Sequence, residues 1–551
     1  MTSSGSKNRR HATNVGVGTL RDPNDEHFTV NQGWDPSQVH FPDDSVIDSV
    51  DFETVPDNKS DLGPHTFTLP KLPNMFLDTS TLRVVGKAKI VYFDTTKGEE
   101  TKLPKNADLE TNPWETPSVE LLVDDTAKDT NTPYIESVTT AGSGAAATHE
   151  FTKKYLGLMT ADVKYSEKKP KVAPINHFCQ SMWKDITVFM NGNQITKNTN
   201  LEYPIRTYLE NLLYYGTEAQ KTHMSTEMWY PDIHIENEDN PAYWKKTDDF
   251  FKGLQHKGKS FHYRRNKYCT DKEFDFVFSM HTELNTINSF IYDGINYSFV
   301  FKRNTPDFCL QAEKLEPNGR YIIRLTDLRL KGRYMIPSPK IEKALQSFIN
   351  RSQARYATRR NQVYTAFVNK GMTDFNYHNI FTQDVLPDQI FMVMTTSKAK
   401  NGSLDTNPWY FEHFDADRVE LVVNERSLPK NGHKPDFANN LFTECYRELF
   451  DNIGVGNNNI GVPITPLKFK HGYTIFAWDL NHDKCAGAHN NHSKMNGICD
   501  INIHFSKPLE NPIAVTVFGI YRDYLTLDNE RFPNVMSSYG VGAIPSSVWG
   551  A

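Results

Sequence analysis

The strongest constraint on this chain is that its pattern is written twice. Residues 185–195 read DITVFMNGNQI, and residues 418–428, 233 positions later, read RVELVVNERSL. In the first copy Ile186, Val188 and Met190 share one face of an alternating run, with Thr187 and Phe189 on the other. Asn191-Gly192 follows, where positive φ is cheap, so a strand, a tight turn and a short return strand are predicted. Next comes YPIRTYLENLLYYG (203–216). Pro204 suits a first helical turn, Ile205, Tyr208, Leu209, Leu212 and Leu213 fall on one 3.6-period face, and Gly216 is placed for a left-handed stop. The second copy keeps the order: in NLFTECYRELFDNIG (440–454), Tyr446, Glu448, Phe450 and Gly454 stand opposite Tyr208, Glu210, Leu212 and Gly216 at a constant offset of 238. Further on, INYSF (295–299) matches INIHF (501–505) at an offset of 206, and the alternating runs from Tyr321 and Ile513 follow them. Unequal offsets with one strand order mean that loops diverged while strands did not, which fits tandem related domains and not a short-period solenoid.

The joint lies in PSPKIEKALQSFINRSQARY (337–356), where two prolines end a strand and Ile341, Ala344, Leu345, Phe348 and Ile349 repeat at helical spacing. The predicted organisation is a flexible arm over 1–54, a first sandwich over 55–339, a linker helix over 340–357, a second sandwich over 358–532 and a tail over 533–551. A chain of 551 residues is too long for one core. Its aromatic content of 12%, with 34 Phe and 25 Tyr, suits strands. Excursions over 101–165 and 227–272, and loops over 454–463 and 481–497, suit Greek-key or jelly-roll connections better than a meander. The fold class expected is therefore all-β.

The formal charge of −6, without a long run of one sign, means the chain as a whole is not built to neutralise a nucleic-acid backbone; any such contact must be local. KNRRH (7–11) is either a solvated tail or a genome-contacting arm. No run reaches the 18 apolar residues of a membrane span and the start lacks a secretory apolar core, so a soluble protein made in the cytosol is expected. Six cysteines without a CxxC pair are read as reduced and mostly buried, and five glycosylation sequons then carry little weight.

Candidate chemistry is sparse. His482, Cys485, His489, His492 and Cys499 offer zinc-type donors, but their spacing is not that of the usual fingers; the reading is a solvated loop whose Cys499 opens a buried strand, with no metal and no cofactor. GxxxxGK[ST], HExxH and GxSxG are missing, so no catalytic residue is assigned and no enzyme is expected. MWYPD (228–232) and NPAYWKK (240–246) are aromatic enough to stack on sugars or bases, or to pack between subunits.

Several stretches resemble a known family. PINHFCQSMWKDITVFMNGNQI (174–195), YPIRTYLENLLYYGTEAQKTH (203–223) and EMWYPD (227–232) are similar to the major capsid proteins of Polinton (Maverick) elements and adintoviruses. The likeness continues through residues 66–90, 321–339, 407–429, 435–450 and 472–480, covering roughly residues 55–530. The resemblance implies a double jelly roll of two eight-stranded sandwiches, and three copies forming a pseudo-hexagonal capsomer that tiles an icosahedral shell around a double-stranded DNA genome. The partners it implies are further copies, neighbouring capsomers and a minor capsid or penton protein, with the arm contacting genome or internal proteins; the location is the virion. Loops 101–165 and 227–272 and the tail with Trp549 depart from the family pattern. The rival reading from the residues is a tandem β-sandwich that binds or hydrolyses glycans.

Overall fold

The computed structural model describes residues 46–57, 63–105, 138–141, 148–151, 170–196, 202–233, 240–287, 289–312, 316–349, 353–381, 385–457, 461–481 and 496–536. Sixteen of its strands build two sandwiches. The first holds β1 (Val46–Thr54), β2 (His65–Thr68), β3 (Phe76–Asp94), β4 (Trp183–Met190), β5 (Asn193–Gln194), β6 (Phe274–Ser279), β7 (Tyr297–Arg303) and β8 (Gly319–Pro337). The second holds β9 (Ala354–Val368), β10 (Asp374–Tyr377), β11 (Gln389–Thr396), β12 (Ala416–Val423), β13 (Arg426–His433), β14 (Ile475–Asp479), β15 (Cys499–Phe505) and β16 (Ile513–Leu527).

The sheets of the first sandwich run β1-β8-β3-β6 and β2-β7-β4-β5, and those of the second run β9-β16-β11-β14 and β10-β15-β12-β13. Each strand of the second sandwich occupies the place of the strand eight earlier. The chain passes back and forth between the two sheets, and its first and last strands pair antiparallel, as in Val46↔Pro337 and Ala354↔Leu527. This wrapping is a jelly roll made twice, the expected fold class.

Local chemistry explains the repeated parts. Both strand-turn units close on residues with positive φ: Asn191 (48°) with Gly192 (81°), and Asn424 (50°) with Glu425 (66°). Each asparagine also clamps the start of a neighbouring strand. Asn191 Oδ1 accepts from the Asn296 amide at 2.8 Å, and Asn424 Oδ1 accepts from the Ile498 amide at 3.0 Å.

Five helices of note are α1 (Tyr203–Tyr214), α2 (Asp248–Lys257), α3 (Lys259–Tyr268), α4 (Pro339–Ile349) and α5 (Thr443–Asn452). Helix α5 stops at Gly454, φ 80°, with the amides of Val455 and Gly456 returning to the Phe450 carbonyl at 3.0 Å. Helix α1 stops otherwise: Gly216 is extended at φ −72° and leads into a further short helix, so its expected left-handed role is not used.

Three expected boundaries shift. Val46–Thr54, assigned to a flexible arm, is strand β1, because the outer edge of β8 supplies its backbone partners. The linker helix ends at Ile349, and 354–357 already belong to β9, paired with the end of β16. In the tail, Pro533–Met536 adds a strand to β16. Residues 1–45 and 537–551 lie outside the described residues, as does most of 101–165. The excursion over 227–272, read as a loop, contains α2 and α3.

Each sandwich has its own core, and each core contains residues from the other half. Leu345, Ile349, Tyr356, Leu525 and Leu527 complete the first core around Val84, Trp183 and Phe301. Tyr208, Leu212, Trp229 and Phe251 of the first half join the second core around Ile390, Val419 and Phe518. Full burial of such side chains contributes roughly 1.5–3 kcal/mol each, so the halves are interlocked by apolar burial and not merely adjacent. The central strands reflect this. Strand β3 alternates buried and outward residues, whereas β16 is buried on both faces along most of its length.

Candidate functional site

The densest constellation of polar side chains sits where the two sandwiches meet. Helix α1 buries the predicted face, but Arg206, Thr207 and Asn211 are buried too, because the helix is wedged in the seam and has little solvent side. Arg206 Nη1 donates to Glu283 Oε1 at 3.0 Å, and its Nε donates to Glu210 Oε1 at 3.3 Å. Glu210 also accepts from Asn361 Nδ2 of β9 at 2.5 Å, and its second oxygen faces His281 Nδ1. Thr358 Oγ1 of β9 donates to the Glu283 carbonyl at 2.6 Å. One buried network thus ties helix α1 and the connection after β6 to the first strand of the second sandwich.

The protonation states follow from these neighbours. Burial opposes ionisation of Glu210, yet Arg206 and His281 bring its pKa down to about 2. Burial pushes Glu283 up, against the pull of Arg206. Arg206 faces both carboxylates and His281 faces Glu210, so the network holds the geometry of the seam.

An aromatic seam lies alongside. Trp409 stacks on Tyr208 with ring centroids 4.3 Å apart and 4° between planes, while its Nε1 donates to the Asn176 carbonyl at 3.0 Å. Trp229 packs 5.2 Å from the same tyrosine and donates to Gln220 Oε1 at 3.0 Å. Asp232 accepts from Asn407 Nδ2 at 2.7 Å and pairs with the buried Arg264 of α3. The MWYPD stretch, read as stacking on sugars or bases or as packing between subunits, has Met228, Trp229 and Asp232 buried within the chain. Helix α2 reaches the second sandwich as well: Phe251 stacks on His471 at 3.8 Å and 10°, and Lys252 pairs with Glu412 at 2.9 Å.

The C-terminal segment adds a strap. Asn191 Nδ2 donates to the Arg531 carbonyl at 2.8 Å, and Arg531 reaches Gln346 Oε1 at 3.3 Å and Asp293 Oδ1 at 3.5 Å. The turn that opens the sequence pattern thus also holds the segment that follows β16.

Of the zinc-type cluster, His482, Cys485, His489 and His492 lie outside the described residues. Cys499 is buried at the start of β15, where burial pushes its thiol up to about 12, in keeping with a core residue. Among the described residues no group of three or more His, Cys, Asp or Glu is placed to hold a metal ion, and Cys179, Cys269, Cys309, Cys445 and Cys499 are buried free thiols. Sequence reasoning missed the seam network. Arg206 and Glu210 at i, i+4 were its one local signal; Glu283 and Asn361 are distant in sequence.

No family model matches the chain. An uncharacterized Caenorhabditis elegans protein is 20% identical over 372 residues, 66% of this chain and 82% of that protein. Among solved structures, a chain of the Sputnik virophage determined by cryo-EM is similar with a TM-score of 0.50 and 10% identity, over 97% of this chain and 95% of that one. The mavirus major capsid protein is similar with a TM-score of 0.45 and 11% identity, over 94% and 95%. The likeness to the virophage chain, at so low an identity, concerns the fold: a double jelly roll.

Proposed function

We propose that this chain is a major capsid protein of the Polinton and adintovirus type. Three copies form a pseudo-hexagonal capsomer; capsomers tile an icosahedral shell around double-stranded DNA, with a minor capsid or penton protein closing it, and the protein resides in the virion. The role is structural, and no catalytic residue is assigned. The observation that carries this reading is the identical strand order of the two sandwiches, joined side by side through interlocked cores, together with fold likeness along nearly the whole chain. Two equivalent sandwiches per chain make six quasi-equivalent units from three copies, and closed rotational assembly leaves no unsatisfied contact.

Size-exclusion chromatography with light scattering tests it: the expected mass is three times 63.2 kDa, roughly 190 kDa. Negative-stain images should show hexagonal capsomers. A stable 63.2 kDa monomer that binds or cleaves oligosaccharide would overturn the reading.

A further inference from the structure

The outer face of β3 and β8 concentrates positive charge on an otherwise acidic chain. From Arg83 to Phe93 on β3 and from Arg320 to Arg333 on β8 there are eight Lys or Arg and a single carboxylate, Asp327, while the whole chain carries −6. The burial pattern turns these cations away from the core, since Leu82, Val84, Ala88 and Ile90 take the inner positions of β3. Register sets like charges directly opposite each other: Arg83 faces Lys331, and Lys89 faces Arg324. Directly opposed like charges weaken a sheet, so this arrangement is costly unless something negative covers it.

Part of the charge is answered at the rim. Glu53 of β1 accepts from Arg329 at 2.9 Å and Lys331 at 2.7 Å, Asp51 pairs with Arg333 at 2.8 Å, and Glu100 pairs with Arg324. The centre is answered only in part: Lys87 stands in register between Asp327 of β8 and Asp275 of β6, and no close ion pair joins it to either. Arg83 donates only to the carbonyls of Ser80 and Leu82, Arg320 lies over the Phe93 ring at 5.4 Å, and Lys87 and Lys89 have no ion pair among the described residues. The face extends ~34 Å along the strands, and its cations follow one another at gaps of two to five residues, from about 6.7 Å upwards.

We propose that this face binds the phosphate backbone of a nucleic acid. A row of cations along two neighbouring strands matches a polymer of monoanions, and the sheet face presents Lys and Arg rather than groups arranged to read a base. Binding is therefore sequence-independent and salt-sensitive. It is a local contact, the only kind the overall charge leaves open, and it does not depend on the assembly reading. The competing occupant is an acidic polypeptide, of which residues 106–137, with eight carboxylates and one lysine, are a source within the chain.

The experiment is fluorescence anisotropy of labelled duplex and single-stranded DNA of unrelated sequences with the full chain. With about four phosphates neutralised, affinity for duplex should fall roughly 100-fold between about 50 and 200 mM salt. Lys87→Glu/Lys89→Glu should weaken binding at least ~10-fold and cut the salt response to roughly 10-fold, because about two contacts are removed. Lys430→Glu/Lys434→Glu, an equal charge change on the second sandwich, should leave binding unchanged. Lys87→Gln/Lys89→Gln, a milder variant checked by its melting curve, serves if the reversal fails to fold. Absence of binding at low salt, or equal binding by the face variants, overturns the proposal. So does binding that emerges only when residues 106–137 are replaced by a Gly/Ser segment of equal length, since that assigns the face to the acidic polypeptide.

Discussion

Lowering the pH from 7.5 to 5 should destabilise this protein through histidines that the seam and the second core hold neutral. Burial pulls His413 and His433 down to about 4 and His471 to about 3. Their surroundings account for this: His413 stacks on Phe437 at 4.1 Å and 8°, His471 on Phe251 at 3.8 Å and 10°, and His433 lies 5.9 Å from Trp478. Asp415 favours the charged form of His413 and Asp248 lies 3.5 Å from His471, but neither offsets burial. In the unfolded chain each imidazole titrates near ~6.5. The unfolded state therefore binds protons that the folded state refuses. Stability is full above about 6.5 and is lost as pH falls towards 4. At pH 5 the gap of about 1.5 units costs roughly 2 kcal/mol per histidine, so about 6 kcal/mol for three, a large share of a typical 5–15 kcal/mol. Glu412 and Glu283, both pushed up by burial, take up protons early in the folded state and return part of this near the bottom of the range. Urea denaturation at a series of pH values checks the total, and hydrogen exchange locates it, with α2 losing protection before β16. His471→Phe keeps the stack and removes the titration, so it should remove about a third of the pH dependence. Stability that is flat between pH 7 and 5, or a His471→Phe variant as acid-sensitive as the parent, would refute the reasoning.

Three further substitutions probe buried contacts, one across the seam and two within the second sandwich. Asp523→Ala leaves the buried Arg360, whose Nε donates to Asp523 at 2.6 Å and whose guanidinium lies 4.0 Å over Tyr521, without its counter-charge; a loss of roughly 3–5 kcal/mol is expected in urea denaturation, and the joint Arg360→Met/Asp523→Leu exchange should cost less. Trp409→Ala should cost about 3–5 kcal/mol with an unchanged denaturant slope, whereas Trp409→Phe, which keeps the ring on Tyr208 but loses the bond to Asn176, should cost markedly less. Asn424→Ala forfeits hydrogen bonds to the Ile498 amide and the Asn496 carbonyl and strains a left-handed residue, for roughly 2–3 kcal/mol by thermal unfolding. Asn424→Gly should spare the strain and lose only the bonds.

What the sequence determined by itself is the set of repeated local units. Alternation in residues 186–190 and 418–423, the turns at Asn191 and Asn424, the helix after each and the paired strands at 297–303 and 499–505 are all legible because side-chain direction and turn chemistry depend on near neighbours. Val46–Thr54 was not legible as a strand. Its apolar positions along one face, Val46, Val50 and Phe52, are few and interrupted by Asp48, and it is a strand because β8 offers an edge. Gly216 shows the reverse: a residue free to turn left-handed does so only if the following chain requires it, and here another helix follows. The tertiary structure alone decided which distant groups meet. Glu210 with Asn361, Trp409 with Tyr208 and Lys89 with Arg324 are separated by 151, 201 and 235 positions. Their contacts come from sheets closed by long connections, a nonlocal choice that no periodicity encodes. The physical reason is that a strand's pattern fixes which face is buried, but only the assembled sheet fixes which strand lies beside it.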